Sequence, residues 1–185
     1  MSDGKTIAVG RATIRVHHNS GHTLGSVSYL LGDAAALTGD FLFIASIGRP
    51  DLAGKTAEWT ALLWQSVERV RMAWPASMLI YPAHYGDEVE RNRDRSIGAP
   101  LSALLAANPS LRHDGAGGFA AWVASHVGEF PDAYRTIKAV NVGLNDVTDE
   151  QAEELEVGRN ECALAGPTPS LFLARRGTPG LENPR

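Results

Sequence analysis

Cysteine is almost absent from this chain, and long apolar runs are absent altogether. Cys162 is the single cysteine among 185 residues, so no disulfide can form within the chain, and a reducing cytoplasm is the expected compartment. No apolar run approaches the roughly 18 residues of a membrane-spanning helix, and the N-terminal sequence MSDGKTIAVG lacks a signal-peptide pattern. These absences predict a soluble protein without a membrane partner.

The chain also lacks a strong charge of either sign. Its 17 Lys and Arg residues and 21 Asp and Glu residues are interspersed and give a net charge of −4, which argues against a nucleic-acid partner. Phosphate-binding glycine loops, CxxC pairs and GxSxG elbows do not occur either. Nucleophilic serine or cysteine catalysis is therefore not supported, and the chemistry that remains is metal-centred.

The stretch 20–51 places an imidazole and a carboxylate at the two ends of one predicted hairpin. Residues 26–31 alternate apolar and polar side chains, Gly-Asp forms a turn, and residues 34–38 form the returning strand. The closed hairpin brings His22 and Asp40 close together. An imidazole beside a carboxylate is a plausible half of a metal site.

Each of these residues also has a simpler interpretation. His22 could be a loop histidine bonded to the backbone, Thr23 could cap a turn, and Asp40 could stabilise the turn in which it lies. From the residues alone these alternatives remain open. Upstream, the alternation in residues 12–18 predicts that Val16 points inward and His17 toward solvent, so His17 and His18 are not expected to be ligands.

Downstream, one strand end carries a further histidine. Apolar residues at three- and four-residue intervals predict a helix over residues 56–74, followed by a buried strand over residues 77–81. His84 lies in the turn directly after that strand. Further helices are predicted at 99–107, 117–127, 133–140 and 149–157. We expect one globular unit over residues 1–160 and a flexible tail over residues 161–185.

Three segments carry a resemblance to a known superfamily. The segments GHTLGSVSYLL, LTGDFLF and IYPAHYG resemble the second half of a metallo-β-lactamase-superfamily domain, and the following IGRPDL is similar to its persulfide dioxygenase branch, which is related to glyoxalase II. The resemblance implies an α/β (α+β) fold, namely a partial αββα sandwich with extra C-terminal helices. It also implies His22, Asp40 and His84 as metal ligands or residues that line the site.

The sequence departs from the superfamily in one respect. The His-x-His-x-Asp-His ligand loop expected upstream of His22 is not present. At least one ligand of the complete site is therefore missing, and the chain resembles a C-terminal portion of the fold.

The resemblance implies one Fe(II) ion held by two histidines and one aspartate, with open positions for O₂ and a thiol persulfide. The expected reaction yields sulfite and the free thiol. Arg49 and Thr23 would lie near the substrate. Arg49 would pair with a substrate carboxylate such as that of glutathione, or it would form an ion pair with Asp51. One alternative is a zinc-dependent, glyoxalase II-like thioester hydrolase in which His84 and Asp40 help to hold a second metal. Another is a non-catalytic half-domain that forms a homodimer or needs a partner to supply the missing half.

Overall fold

The computed structural model describes residues 2–85, 90, 92–128, 132–157 and 163–164, and its strands form one six-stranded sheet. The strands lie side by side in chain order: β1 Thr6–Val9, β2 Ala12–His18, β3 Val27–Leu31, β4 Ala35–Gly39, β5 Leu79–Pro82 and β6 Ala99–Pro100. Neighbouring strands are antiparallel, except that β4 and β5 are parallel. The predicted hairpin β3–β4 is confirmed, and β1 and β2 form a second antiparallel hairpin.

Five α-helices complete the described part of the chain: α1 Thr56–Ala73, α2 Leu101–Ala107, α3 Ala116–His126, α4 Asp132–Asn141 and α5 Asp149–Val157. They agree with the predicted helices to within two residues at each end. A short 3-10 turn, Pro109–Leu111, follows α2. In the described residues, no helix is long and apolar enough to cross a membrane.

Helix α1 connects the two parallel strands, because a parallel pair needs a crossover between its strands. Its buried side chains recur at helical spacing, and Leu63 and Val67 are fully buried in the core together with Ile80 of β5. The helix ends before Pro75, which cannot continue it. The crossover places the ends of β4 and β5 at the same edge of the sheet.

The face of the sheet that α1 covers includes a residue that was expected to face solvent. His17 lies opposite Ser28, which is fully buried, and the His17 ring is 5.4 Å from the ring of Trp74, whose Nε1 donates to His17 Nδ1 at 3.2 Å. The predicted orientation of His17 was therefore wrong. Alternation fixes which residues share a face, but it does not say which face meets the helix.

The opposite face is apolar, and parts of it are exposed. Register partners share a face, so Val16, Tyr29, Leu37 and Tyr81 form one row across four strands. Large apolar side chains on this face are substantially exposed: Val9 55%, Leu31 40%, Leu37 44% and Leu79 38%. Exposed apolar surface of this extent is typical of a surface that another element covers.

Two residues of the predicted tail are described. Leu164 is 2% exposed, and its amide donates to Ile47 O at 2.9 Å, while Ala163 forms a bridge with Gly48. Cys162 and most of the predicted tail lie outside the described residues.

Candidate metal centre

The three predicted ligands lie at one edge of the sheet. His22 is in the loop after β2, Asp40 directly follows β4, and His84 lies just beyond β5. Since β4 and β5 are parallel neighbours, their carboxyl ends meet, and the β3–β4 hairpin returns the chain to the His22 loop. His22 Nε2 lies 4.0 Å from Asp40 Oδ2, which confirms that the hairpin brings the two residues together.

The His22 ring is buried and oriented by the backbone. His22 is 5% exposed, and its Nδ1 lies 2.9 Å from the carbonyl oxygen of Arg49. A carbonyl oxygen only accepts hydrogen bonds, so Nδ1 carries the proton and Nε2 carries the lone pair. Burial lowers the pKa of His22, although the nearby Asp40 carboxylate and the Arg49 carbonyl oppose this shift. Its neutral form is the one that binds metals.

Two electron-rich atoms therefore face each other at this edge. Nε2 of His22 and Oδ2 of Asp40 lie 4.0 Å apart. Neighbouring ligands about 2.0–2.2 Å from one metal lie roughly 3.0–3.5 Å apart, so a small approach of the two side chains would let them share an ion. A carbonyl that fixes the other nitrogen of the ring is the usual support of a metal-bound histidine. The chemistry of these two donors fits a divalent cation.

His84 contacts the same carboxylate from the other side. Its Nδ1 lies 2.6 Å from Asp40 Oδ1, and its side chain is 47% exposed. Asp40 thus lies between the two histidines, each of which faces a different oxygen. Among the residues that the structure describes, however, no three His, Cys, Asp or Glu side chains converge closely enough to hold a metal ion. The centre has a pair of suitable donors and a third one nearby.

Glycine at position 48 permits the close packing of this centre. A Cβ atom at Gly48 would lie 2.0 Å from the carbonyl oxygen of Asp40 and 2.8 Å from Cβ of His22. The Gly48 amide also donates to Phe41 O at 3.0 Å, which closes the loop that begins at Asp40. The sequence analysis did not identify Gly48 as a functional position, although GRPD marks a turn.

Arg49 forms the ion pair with Asp51 that the sequence had left open. Its Nε and Nη2 each donate to one Asp51 carboxylate oxygen at 2.7 Å, and Nη2 also lies 3.3 Å from Gly128 O beyond α3. Both side chains are less than a tenth exposed. The bidentate pair fixes the backbone that presents the Arg49 carbonyl to His22.

Thr23 also has partners within its own loop. Its Oγ1 lies 2.8 Å from Ser26 Oγ, and its amide donates to the same oxygen at 3.1 Å. These bonds correspond to the turn-stabilising alternative for Thr23.

His18 lies at the end of β2, where its amide donates to Asp3 at 2.7 Å. His126 stacks on Trp122 in α3.

Comparisons with known proteins identify the class of this fold. The chain is 39% identical over 85 residues to the mitochondrial persulfide dioxygenase ETHE1 of Bos taurus, which covers 45% of this chain and 32% of that protein. It is 32% identical over 144 residues to a hydroxyacylglutathione hydrolase of Acidiphilium cryptum, covering 65% of this chain and 57% of that protein. The crystal structure of ETHE1 from Myxococcus xanthus superposes with a TM-score of 0.62 at 25% identity, over 78% of this chain and 60% of that one.

These similarities indicate the superfamily. The chain is similar to members of the metallo-β-lactamase superfamily, in the branch that contains persulfide dioxygenases and glyoxalase II-like hydrolases. The predicted α/β fold is confirmed. No protein-family model matches the sequence. The chain spans about a third to just over half of the curated relatives named above.

Proposed function

We propose that this chain provides one side of the active site of a persulfide dioxygenase-like enzyme that uses Fe(II). In this reaction one O₂ and one water convert a glutathione persulfide into glutathione and sulfite, with release of two protons. The outer sulfur is oxidised, O₂ is reduced, and the bond between the two sulfur atoms breaks. The similarity to persulfide dioxygenases and the IGRPDL segment favour this reaction.

The observation that carries the proposal is the arrangement of His22 and Asp40. The imidazole lone pair and the carboxylate face each other at 4.0 Å, with no proton from the ring between them. A neutral imidazole beside a carboxylate belongs to the ligand set of non-haem Fe(II) oxygenases. Iron, when bound, would supply the site at which O₂ is activated, and His22 and Asp40 would hold it.

The other residues of the centre would orient these ligands and border the substrate. The Arg49 carbonyl keeps the His22 ring in one tautomer, and His84 bonds to Oδ1 of Asp40, whereas His22 approaches Oδ2. Thr23 directly follows His22, so we propose that Thr23 and Arg49 border the thiol substrate. Asp51 already occupies the Arg49 guanidinium in a bidentate pair, so Arg49 would bind a substrate carboxylate only by exchanging Asp51 for that carboxylate.

A second candidate is a zinc-dependent thioester hydrolase of the glyoxalase II type. It is supported by the longer similarity to a hydroxyacylglutathione hydrolase and by the contact of His84 with Asp40, which would suit a second metal. A third candidate is a half-domain that is not catalytic by itself. It is supported by the exposed apolar face, which a second copy or a partner carrying the rest of the fold would cover.

Reconstitution with each metal separates these candidates. The chain is loaded anaerobically with Fe(II) or Zn(II), and oxygen uptake with glutathione persulfide is compared with hydrolysis of S-lactoylglutathione. We expect iron-dependent oxygen uptake that His22→Ala and Asp40→Ala abolish and that His126→Ala, in α3 beside Trp122, retains. Zinc-dependent thioester hydrolysis without oxygen uptake would favour the hydrolase. Metal binding without either activity would favour the half-domain, and so would no metal binding at all.

The remaining parts of the proposal concern location and partners. A single cysteine and a net charge of −4 support a cytoplasmic protein whose partner is a small thiol or persulfide. Fractionation of cells that express the tagged chain tests the location.

A further inference from the structure

Asn108, at the end of α2, is a buried polar residue whose hydrogen-bonding capacity is largely used. It is 1% exposed, and its Nδ2 donates to the carbonyl oxygens of Phe43 at 3.1 Å and of Ser46 at 2.9 Å. Its Oδ1 accepts from the amide of Ser110 at 3.0 Å and from the hydroxyl of Ser110 at 2.6 Å. One side chain thus joins the turn after α2 to the loop 41–48.

This loop is part of the candidate metal centre. It begins directly after Asp40 and ends at Gly48, whose amide bonds back to Phe41 O. At Gly48 the backbone approaches both Asp40 and the His22 ring so closely that no side chain fits. A shift of the loop therefore changes the separation of the two candidate ligands.

Asn108 holds this loop at its tip. Phe43 and Ser46 bond to each other through the Phe43 amide and the Ser46 carbonyl at 3.1 Å, and Asn108 binds both of their carbonyl oxygens. An asparagine amide supplies two donors from one nitrogen, whereas an aspartate of the same shape supplies none. Substitution by aspartate would place a charged oxygen against two carbonyl oxygens without changing the volume.

We propose that Asn108 is a positioning residue for the candidate metal centre: through the loop 41–48 it sets the placement of Asp40 relative to His22. The inference rests on the proposed metal site, and it assigns to Asn108 a role at a distance from the metal. Groups that orient metal ligands commonly change metal affinity by about 10–100-fold when they are removed.

Cobalt binding tests this role, because Co(II) absorption bands report the ligand set directly. The full chain, Asn108→Asp and the matched control Asn92→Asp are titrated anaerobically with Co(II). Asn92 also donates two bonds from Nδ2, to Ser96 Oγ at 3.2 Å and Gly98 O at 2.9 Å, in the exposed loop before β6. We expect Asn108→Asp to weaken Co(II) binding at least tenfold and to change the visible spectrum. Asn92→Asp should retain both properties.

Three results would contradict the inference. An unchanged Co(II) affinity and spectrum in folded Asn108→Asp, with reduced resistance to urea, would make Asn108 purely structural. An equal loss in Asn92→Asp would make the effect nonspecific. A wild-type chain that binds no Co(II) would overturn the proposed metal site and, with it, this role.

A measurement on the wild-type chain covers the case in which Asn108→Asp does not fold. In nitrogen–proton spectra, the side-chain amide of Asn108 should shift and become more protected from exchange when zinc is added, whereas that of Asn92 should not. An Asn108 side-chain signal that zinc leaves unchanged, in a sample that binds zinc, would overturn the positioning role.

Discussion

The two faces of the sheet have similar side chains and very different surroundings. Under α1, Leu30, Ala36 and Ile80 are at most 4% exposed, whereas Leu31, Leu37 and Leu79 on the other face are 38% to 44% exposed. Covered apolar area is what stabilises a fold, at roughly 25 cal/mol per Å². The helix-covered face therefore supplies the stability of this chain, and the other face has the composition of a core that lacks its cover.

Adjacent residues of β5 give the sharpest test of this difference. We expect Ile80→Ala to lower the free energy of unfolding by about 2–5 kcal/mol, because the fully buried side chain leaves a cavity. Leu79→Ala should cost less than about 1 kcal/mol, because its side chain keeps much of its exposure on folding. Urea unfolding followed by tryptophan fluorescence measures both, and equal costs would show that the opposite face is covered in solution.

The contact between the His22 loop and α1 belongs to the covered face. A Cβ atom at Gly21 would lie 2.4 Å from Cβ of Leu63, and Gly21 has φ +144. Gly21→Ala should therefore cost about 1–3 kcal/mol through overpacking, in addition to backbone strain. Gly10→Ala is the control, since Gly10 also has positive φ but no atom within 4 Å of the added Cβ. A cost at Gly21 no larger than at Gly10 would contradict the close packing.

A pH effect is expected on the helix-covered face, at His17. Burial, followed by the charge of Arg69, lowers the pKa of His17, while Asp3 opposes the shift. A lowered pKa in the folded state means that the unfolded chain binds the proton first, so stability falls as the pH decreases below about 6.5. The half-buried ring limits the effect to less than about 1 kcal/mol. His17→Phe should reduce the slope of urea-unfolding stability against pH between 7.5 and 5.5, with the part due to His22 retained because its pKa is lowered in the same direction. An unchanged slope would contradict this assignment.

The smallest effect is expected on the uncovered face. Leu37→Lys should change the free energy of unfolding by less than about 0.5 kcal/mol, since an exposed side chain is replaced. Leu37→Lys should also reduce the binding of a hydrophobic dye. Met72→Lys, which changes an exposed residue on α1, should reduce dye binding less. A large loss of stability in Leu37→Lys would mean that this face is buried against another chain.

Local patterns in the sequence predicted much of the fold and part of the site. Alternation and a Gly-Asp turn predicted β3–β4, and with it the approach of His22 to Asp40, because a hairpin joins residues that are near in sequence. The apolar stripe of α1 was equally local.

Contacts between segments that are distant in sequence were harder to predict. The bond from His84 to Asp40 depends on the parallel register of β4 and β5, which sequence periodicity does not contain. The choice between a substrate contact and an ion pair for Arg49 depends on burial beside Asp51. Asn108 directly follows the helix predicted over residues 99–107, and no role was predicted for it because its partners at 43 and 46 lie far away in sequence.

Zinc binding to the full chain tests the central claim, that His22 and Asp40 form a metal centre, most directly. Calorimetric titration of the metal-free protein should give close to one ion per chain, and His22→Ala should abolish binding, while His126→Ala should retain it. Retained zinc binding in His22→Ala, or none in the wild-type chain, would contradict this account of the site.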